Sequence, residues 1–481
     1  MVRVGNADYA ITPFYPVDAL TGIDARAGRQ ATMRRLLAAL LVAALVPGLA
    51  LASASRWPVS ETQLDNGMTV IVREDHRAPV VVSQVWYAVG SSYEHRGITG
   101  VSHVLEHMMF KGTDAHGPGE FSRIISRNGG EENAFTSRDY TAYFERLAAD
   151  RLDLALALEA DRMANLALAD EHFASEREVV IEERRQRVAD NPASRMHERF
   201  NAVAHLGSPY AQPIIGWQPD LEAMTLDDLQ AWYERYYSPN NATLVVAGDV
   251  EPEAVFDLAR KHFGDMKARE LPEAPGGTGM VEPGARRIDV ADSRARVPRV
   301  VMGYDVPSAA TADSLEDAYA LMMASAVLDG GDGARLSQDL VRDQAVAARA
   351  GASYRAIARL GTQFTLQAAP QPGVSVDDLE SALREQIERL RSEPVDDATL
   401  ERARNQMLAD HLFQMDSVFY QAMEIGQLET TGIGWEIIKD YESGLEAVTA
   451  ADVQRVAQQY FTEQRLTVGR LQPESDKESA E

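Results

Sequence analysis

The sequence predicts an α+β fold made of two homologous units, each a mainly antiparallel sheet covered by helices on one face. Three observations carry that expectation. After Ser55 the text mixes β-rich runs with stretches of helical period. A Pro/Gly-rich stretch, Leu271 to Gly284 (LPEAPGGTGMVEPG), interrupts this pattern and reads as a linker. The text also repeats across that linker. Met224 to Val250 (MTLDDLQAWYERYYSPNNATLVVAGDV) matches Val448 to Pro473 (VTAADVQRVAQQYFTEQRLTVGRLQP) at a constant offset of 224. In that register Thr225, Asp228, Gln230, Tyr236 and Thr243 meet Thr449, Asp452, Gln454, Tyr460 and Thr467, and Tyr237 meets Phe461. A chain of 481 residues is too long for one core, so length and repeat agree.

The elements follow in order. Met33-Arg34-Arg35 precedes an apolar run from Leu36 to Leu51, broken only by Pro47-Gly48, and then Ala52-Ser53-Ala54. A basic start, a short apolar middle and an A-x-A end describe a cleaved signal peptide over 33–54, with delivery to the periplasm or outside the cell. The alternative is an uncleaved anchor, for which the run is short. Residues 1–32 have no place in such a signal and read as an upstream extension, with translation starting at Met33. The first unit is then 55–270, the linker 271–286, the second unit 287–475 and the tail 476–481. Gln63 to Val72 and Ala78 to Val89 are β-rich, and Asp65-Asn66-Gly67 marks a hairpin turn in the first. Helical periodicity covers Val101 to Met108, Asp150 to Ala164 and Ser175 to Val188.

Composition narrows the function. Apolar residues at 45% and charged residues at 25% describe an ordinary globular chain. A formal charge of −26 argues against nucleic acid or anionic lipid as partner and favours basic or neutral peptides. Removing 1–54 would leave −28, because that segment holds five Arg and three Asp. With no cysteine, disulfides, thiolate metal sites and cysteine nucleophiles are excluded.

The chemistry sits in His103-Val104-Leu105-Glu106-His107. Residues four apart on a helix lie one above the other, so both histidines can reach one metal ion. Val101, Val104, Leu105 and Met108 have the spacing of a buried stripe, which turns His103, Glu106 and His107 toward a site. Gly112 is the expected stop. A catalytic zinc site needs a third protein ligand and one open position. The helix expected to start at Ser175, with Ser175 and Glu178 as a capping box, offers it. Glu176 and Glu183 share a face two turns apart, whereas Glu182 points about 100° away. Glu178 and Glu182 read as solvated partners of the neighbouring arginines.

These residues resemble the M16 peptidases, the inverzincin group of pitrilysin, insulin-degrading enzyme and the mitochondrial processing peptidase; HxxEH is the signature of inverzincins. Glu183 follows His107 by 76 residues, close to the family spacing. YAVGSSYEHRGITGVSHVLEHMMFKGT (Tyr87 to Thr113) and NGGEENAFTSRDYTAYFERL (Asn128 to Leu147) are similar to family text. The resemblance implies half of a clamshell chamber and one Zn²⁺ per chain. It makes His103, His107 and Glu183 the ligands, Glu106 the catalytic base, and Glu176 a support for a ligand. Asn133 and Ala134 resemble the strand edge that pairs with the substrate backbone; Asn133 alternatively reads as a turn residue after Gly129-Gly130.

The second half departs from the family. There an Arg and a Tyr seven residues apart contact substrate at the zinc, and here those positions hold Val341 and Ala348. Arg342 is one residue away and Tyr354 six beyond. The resemblance therefore implies the zinc-bearing subunit of a dimer whose homologous partner supplies the Arg/Tyr pair. A homodimer using Arg342 or Tyr354 is the alternative. A non-catalytic core subunit is the competing class, expected to lack the zinc motif that this chain has in full.

Overall fold

The computed structural model describes residues 58–277 and 284–474. The signal segment, the upstream extension, the tail and residues 278–283 of the linker lie outside the described residues. The chain forms two sheets. The hairpin β1 (Val59–Gln63) and β2 (Thr69–Glu74) turns where Asp65-Asn66-Gly67 predicts, with the Gly67 N–H donating to Leu64 O at 2.8 Å. With β3 (Val80–Tyr87), β4 (Glu131–Thr136), β5 (Thr141–Ala148) and β6 (Ala242–Gly248) it makes a sheet of order β1-β2-β6-β3-β5-β4. The second sheet has the order β7-β11-β8-β10-β9. Its strands are β7 (Arg286–Asp292), β8 (Arg299–Val306), β9 (Ala347–Tyr354), β10 (Thr362–Pro370) and β11 (Leu466–Pro473). Each sheet is antiparallel except for one parallel pair, β2 with β6 and β7 with β11. Leaving out β1, the two orders correspond strand for strand.

The offset of 224 holds residue by residue. Helix Leu226–Tyr236 corresponds to Ala450–Tyr460, and β6 starts at Ala242 where β11 starts at Leu466. Thr225 with Asp228 and Thr449 with Asp452 close equivalent capping boxes. Each box satisfies two backbone N–H groups that a helix start leaves open, so Thr and Asp serve one purpose in both halves.

Five helices of the first half matter for the site: α1 (Val101–Met108), α2 (Glu120–Arg127), α3 (Leu152–Asn165), α4 (Asp170–Arg184) and α5 (Pro192–Ala204). Val101, Val104, Leu105 and Met108 of α1 are fully buried in one core with Val70, Val85, Tyr87, Leu156 and Val180. The expected helical layer on one face of each sheet is present. The other face is filled reciprocally. Helix Val418–Thr430 of the second half packs on β3 and β6, and α5 of the first half packs on β7, β8 and β11. Both contacts set an aromatic ring on glycine. A Cβ on Gly426 would lie 2.0 Å from Trp86, and Cβ atoms on Gly303 and Gly469 would lie 2.7 and 3.1 Å from Phe200. Gly426→Ala gains helix propensity of about 1 kcal/mol. It overpacks a buried contact at a cost of about 1–3 kcal/mol. At 2.0 Å the clash wins. A lower thermal midpoint than wild type is therefore expected; an unchanged or raised midpoint in thermal denaturation would refute this packing.

Three boundaries differ from the sequence reading. Helix α4 begins at Asp170, so Ser175 and Glu178 stand inside it and form no cap. Asp170 and Glu171 favour that earlier start by sitting at the positive end of the helix dipole, and Phe173 buries the added turn. Past Arg184 the helix widens into a π segment, Arg185–Ala189. At α1 the helix closes at Met109, whose N–H donates to Leu105 O at 2.9 Å, before Gly112 is reached. Finally, Asn133 lies within β4, opposite Phe144, so the turn reading is overturned.

Candidate metal centre

Helix α1 starts on Gly100, at φ 90°, which can offer no side-chain cap. The cap comes from Glu94, whose carboxylate accepts from Gly100 N–H at 2.6 Å and Ser102 N–H at 2.9 Å. Sequence reasoning did not find Glu94, because its N-cap signals look for a short polar residue next to the helix. With its start pinned and Val101, Val104, Leu105 and Met108 in the core, α1 holds His103, Glu106 and His107 in fixed positions. All three are buried. Helix α4 packs against α1 and brings Glu176 and Glu183 to the same place.

His103, His107 and Glu183 each offer a ligand atom, and these atoms lie within 4.8 Å of one another. Glu183 Oε2 is 3.8 Å from His103 Nε2 and 3.6 Å from His107 Nε2. Both distances are too long for hydrogen bonds, and His107 Nε2 is buried with no such partner. Tetrahedral ligands about 2.1 Å from a zinc ion stand about 3.4 Å apart. The two imidazoles and the carboxylate thus fit zinc in both chemistry and spacing. Burial, then the neighbouring His107, pulls His103 down to about 3, which keeps its ring neutral. For His107 burial also opposes charge, but Glu176 and Glu183 outweigh it and raise it to about 9. Burial alone would raise Glu183, yet His107, His103 and Arg187 bring it to about 2.

Glu176 meets His107 from behind: its Oε2 is 3.2 Å from Nδ1, and its Oε1 is 2.6 Å from Lys111 Nζ. That contact fixes the ring and directs Nε2 toward Glu183. Lys111, three residues beyond α1, escaped the sequence reading because nothing in the text pairs it with a helix 65 residues away. Glu182 turns outward to Arg185 at 2.6 Å and Glu178 lies 3.7 Å from Arg177, the solvated roles expected of them.

Glu106 Oε2 accepts a hydrogen bond of 2.6 Å from Thr136 Oγ1. Burial pushes its carboxyl up, against His107 and that hydroxyl, which lower it. Thr136 ends β4, the edge strand of its sheet, and Asn133 and Ala134 stand on the same strand. The edge strand and the HxxEH helix are therefore in direct contact. In the second half Val341 lies in a π-helical segment, Leu336–Asp343, packed against the core. Arg342 is exposed and 3.9 Å from Asp332. Tyr354 donates its hydroxyl to Pro307 O at 2.7 Å.

Comparison with known proteins agrees with this geometry. Residues 69–216 match the family described as Insulinase (Peptidase family M16), and residues 223–407 match the Peptidase M16 inactive domain. The chain is 31% identical over 450 residues to the zinc protease PqqE of Helicobacter pylori, covering 92% of this chain and 99% of that one. A crystal structure of a protease from Helicobacter pylori superposes with a TM-score of 0.80 at 30% identity, over 86% of this chain and 99% of the other. The first half of the periplasmic protease PqqL from Escherichia coli shares the fold, with a TM-score of 0.72 at 19% identity over 86% and 91%. The two-sheet unit is thus one half of a clamshell of the kind M16 enzymes build. With its HxxEH helix, its carboxylate helix and both family domains in place, the chain belongs to the M16 (insulinase) peptidase family.

Proposed function

We propose that the chain is a zinc-dependent endopeptidase that hydrolyses peptides or unfolded polypeptide segments, as the zinc-bearing subunit of a dimer. One observation carries this reading: three metal-ligating groups converge beside the buried carboxylate of Glu106, at an open strand edge. Zinc held by His103, His107 and Glu183 would supply Lewis acidity, bringing the pKa of water toward about 7 and polarising the scissile carbonyl. Glu106 takes the proton that water gives up and passes it to the leaving amine. Glu176 keeps the His107 ring in the tautomer that leaves Nε2 facing the site. The β4 edge at Asn133 and Ala134 aligns the substrate backbone by strand pairing, which gives affinity without strict sequence demands.

The full chain is expected to hold about one zinc ion, as a single three-ligand site requires. His103→Ala and Glu183→Gln should each remove most of it. Elemental analysis of the purified, folded variants checks this, and zinc content equal to wild type in both would remove the assignment.

A further inference from the structure

The helix that carries Glu106 and the strand edge that holds it are both tied to one side chain of the second half. The segment between β9 and β10 lies against the first half, with Ala358 and Leu360 buried in a cluster with Tyr210. Leu360 N–H donates to Tyr210 Oη at 3.1 Å, and Arg359 N–H to Asp139 Oδ2 at 3.2 Å. These backbone contacts set the Arg359 side chain among groups from three separate parts of the chain. Its Nη1 donates to Pro275 O in the linker at 2.8 Å, and its Nη2 to Ser92 Oγ at 3.0 Å. Its Nε lies 3.4 Å from Asp139 Oδ1, and its guanidinium 4.8 Å from the centre of the Tyr93 ring. Ser92 closes the circuit, its hydroxyl donating to Asp139 Oδ1 at 3.0 Å.

Both partners lead to Glu106. Asp139 lies in the turn between β4 and β5, three residues past Thr136, whose hydroxyl donates to Glu106 at 2.6 Å. Ser92 and Tyr93 belong to the 3-10 turn that ends at Glu94, whose carboxylate caps α1 through the N–H groups of Gly100 and Ser102. The two segments also touch directly, with Ser91 N–H donating to Ser137 O at 3.1 Å and Ser92 N–H to Arg138 O at 2.8 Å. There is no slack between them, since a Cβ on Gly90 would lie 2.3 Å from Ser137 O. A planar guanidinium with its donors in a fixed fork sets the spacing of its partners, which a point charge on a flexible stem does not. Asp139 is buried, so its pairing with Arg359 is screened far less by salt than an exposed pair would be.

We propose, resting on the peptidase reading and deepening it, that Arg359 is a positioning residue for the hydrolysis. It holds the cap of α1 and the β4–β5 turn against each other, and so sets where Glu106 stands relative to the strand edge on which substrate lies. The second half, which contributes none of the three metal-ligating groups, thereby acts on the chemistry of the first. Misplacing a reacting group by about 1 Å can cost about 10² in rate. His103, His107 and Glu183 stand on α1 and α4 of the first half, so zinc content should not follow that loss.

The test uses the full chain with Arg359→Gln, Arg359→Lys and Asp139→Asn, a fluorogenic peptide and elemental analysis. In Arg359→Gln kcat should fall about 10- to 100-fold while KM stays within about twofold and zinc stays at the wild-type level. Arg359→Lys keeps the charge and should recover part of the loss. Asp139→Asn breaks the same contact, so its effect and that of Arg359→Gln should not add in the double variant. Arg195→Ala breaks a different ion pair between the halves, with Asp292 at 2.5 Å, and should lower the thermal midpoint without lowering kcat. Hydrogen exchange over residues 90–102 and 136–140 reads the coupling without turnover, and both segments should exchange faster in Arg359→Gln. A wild-type kcat in folded Arg359→Gln, a loss that Arg195→Ala reproduces, or zinc lost in step with activity overturns the positioning role. Should Arg359→Gln not fold, Arg359→Lys and Asp139→Asn make the same comparison. If the wild-type chain cleaves no peptide, alone or with a homologous partner, the peptidase reading falls, and the exchange result by itself decides whether Arg359 couples the two segments.

Discussion

Replacing Glu106 by Gln is expected to lower peptide hydrolysis by about 10²–10⁴, the usual contribution of a positioned general base. The substitution preserves shape. An amide oxygen can still accept from Thr136 Oγ1, which now donates to Glu106 Oε2 at 2.6 Å. Removing a carboxylate whose ionisation burial already opposes should not weaken the fold. What disappears is the ability to take a proton. His103, His107 and Glu183 are untouched, so zinc content should match wild type while turnover collapses. Elemental analysis and peptide cleavage on the same preparation make the comparison. Cleavage near the wild-type rate would give the base role to another group, whereas parallel loss of zinc would make Glu106 a structural support of the metal site.

The fold and the candidate ligands were legible because each rests on local periodicity. The apolar stripe of Val101, Val104, Leu105 and Met108 placed α1, and the same phase put His103 and His107 on one side of it. The repeat fixed by Thr225, Asp228, Thr449 and Asp452 reappears as two capping boxes and two sheets of matching order. Less was legible where partners are distant in sequence. Glu94, Lys111 and Thr136 act on the site through tertiary contacts that no spacing encodes. The reciprocal packing of Trp86 with Gly426, and of Phe200 with Gly303 and Gly469, joins residues hundreds of positions apart or separated by the linker. The Ser175 cap misled for a physical reason. Ser and Glu three apart occur inside helices too, and the burial of Phe173 extended α4 past the signal.

The isolated chain should bind zinc yet cleave peptides slowly, and a homologous partner bearing an Arg and a Tyr in its second half should raise the rate by about 10²–10³. An amide carbonyl gathers charge on oxygen as it is attacked, and one lost donor to that oxygen commonly costs this much. Val341 and Ala348 carry neither a charge nor a hydroxyl. The neighbours that could replace them are badly placed for it. Tyr354 spends its hydroxyl on Pro307 O, and β9, which it ends, is paired along its length with β10. Arg342 is free to move, being 52% exposed at its side chain and 3.9 Å from Asp332. Of the two, it is therefore the better placed to complete the site of a homodimer. Steady-state kinetics on the chain alone, on Arg342→Ala and on each mixed with the partner separate the two arrangements. Low activity restored by the partner, and indifferent to Arg342→Ala, is the expected pattern. High activity from the chain alone that Arg342→Ala abolishes would mean that two copies of this subunit make a complete peptidase.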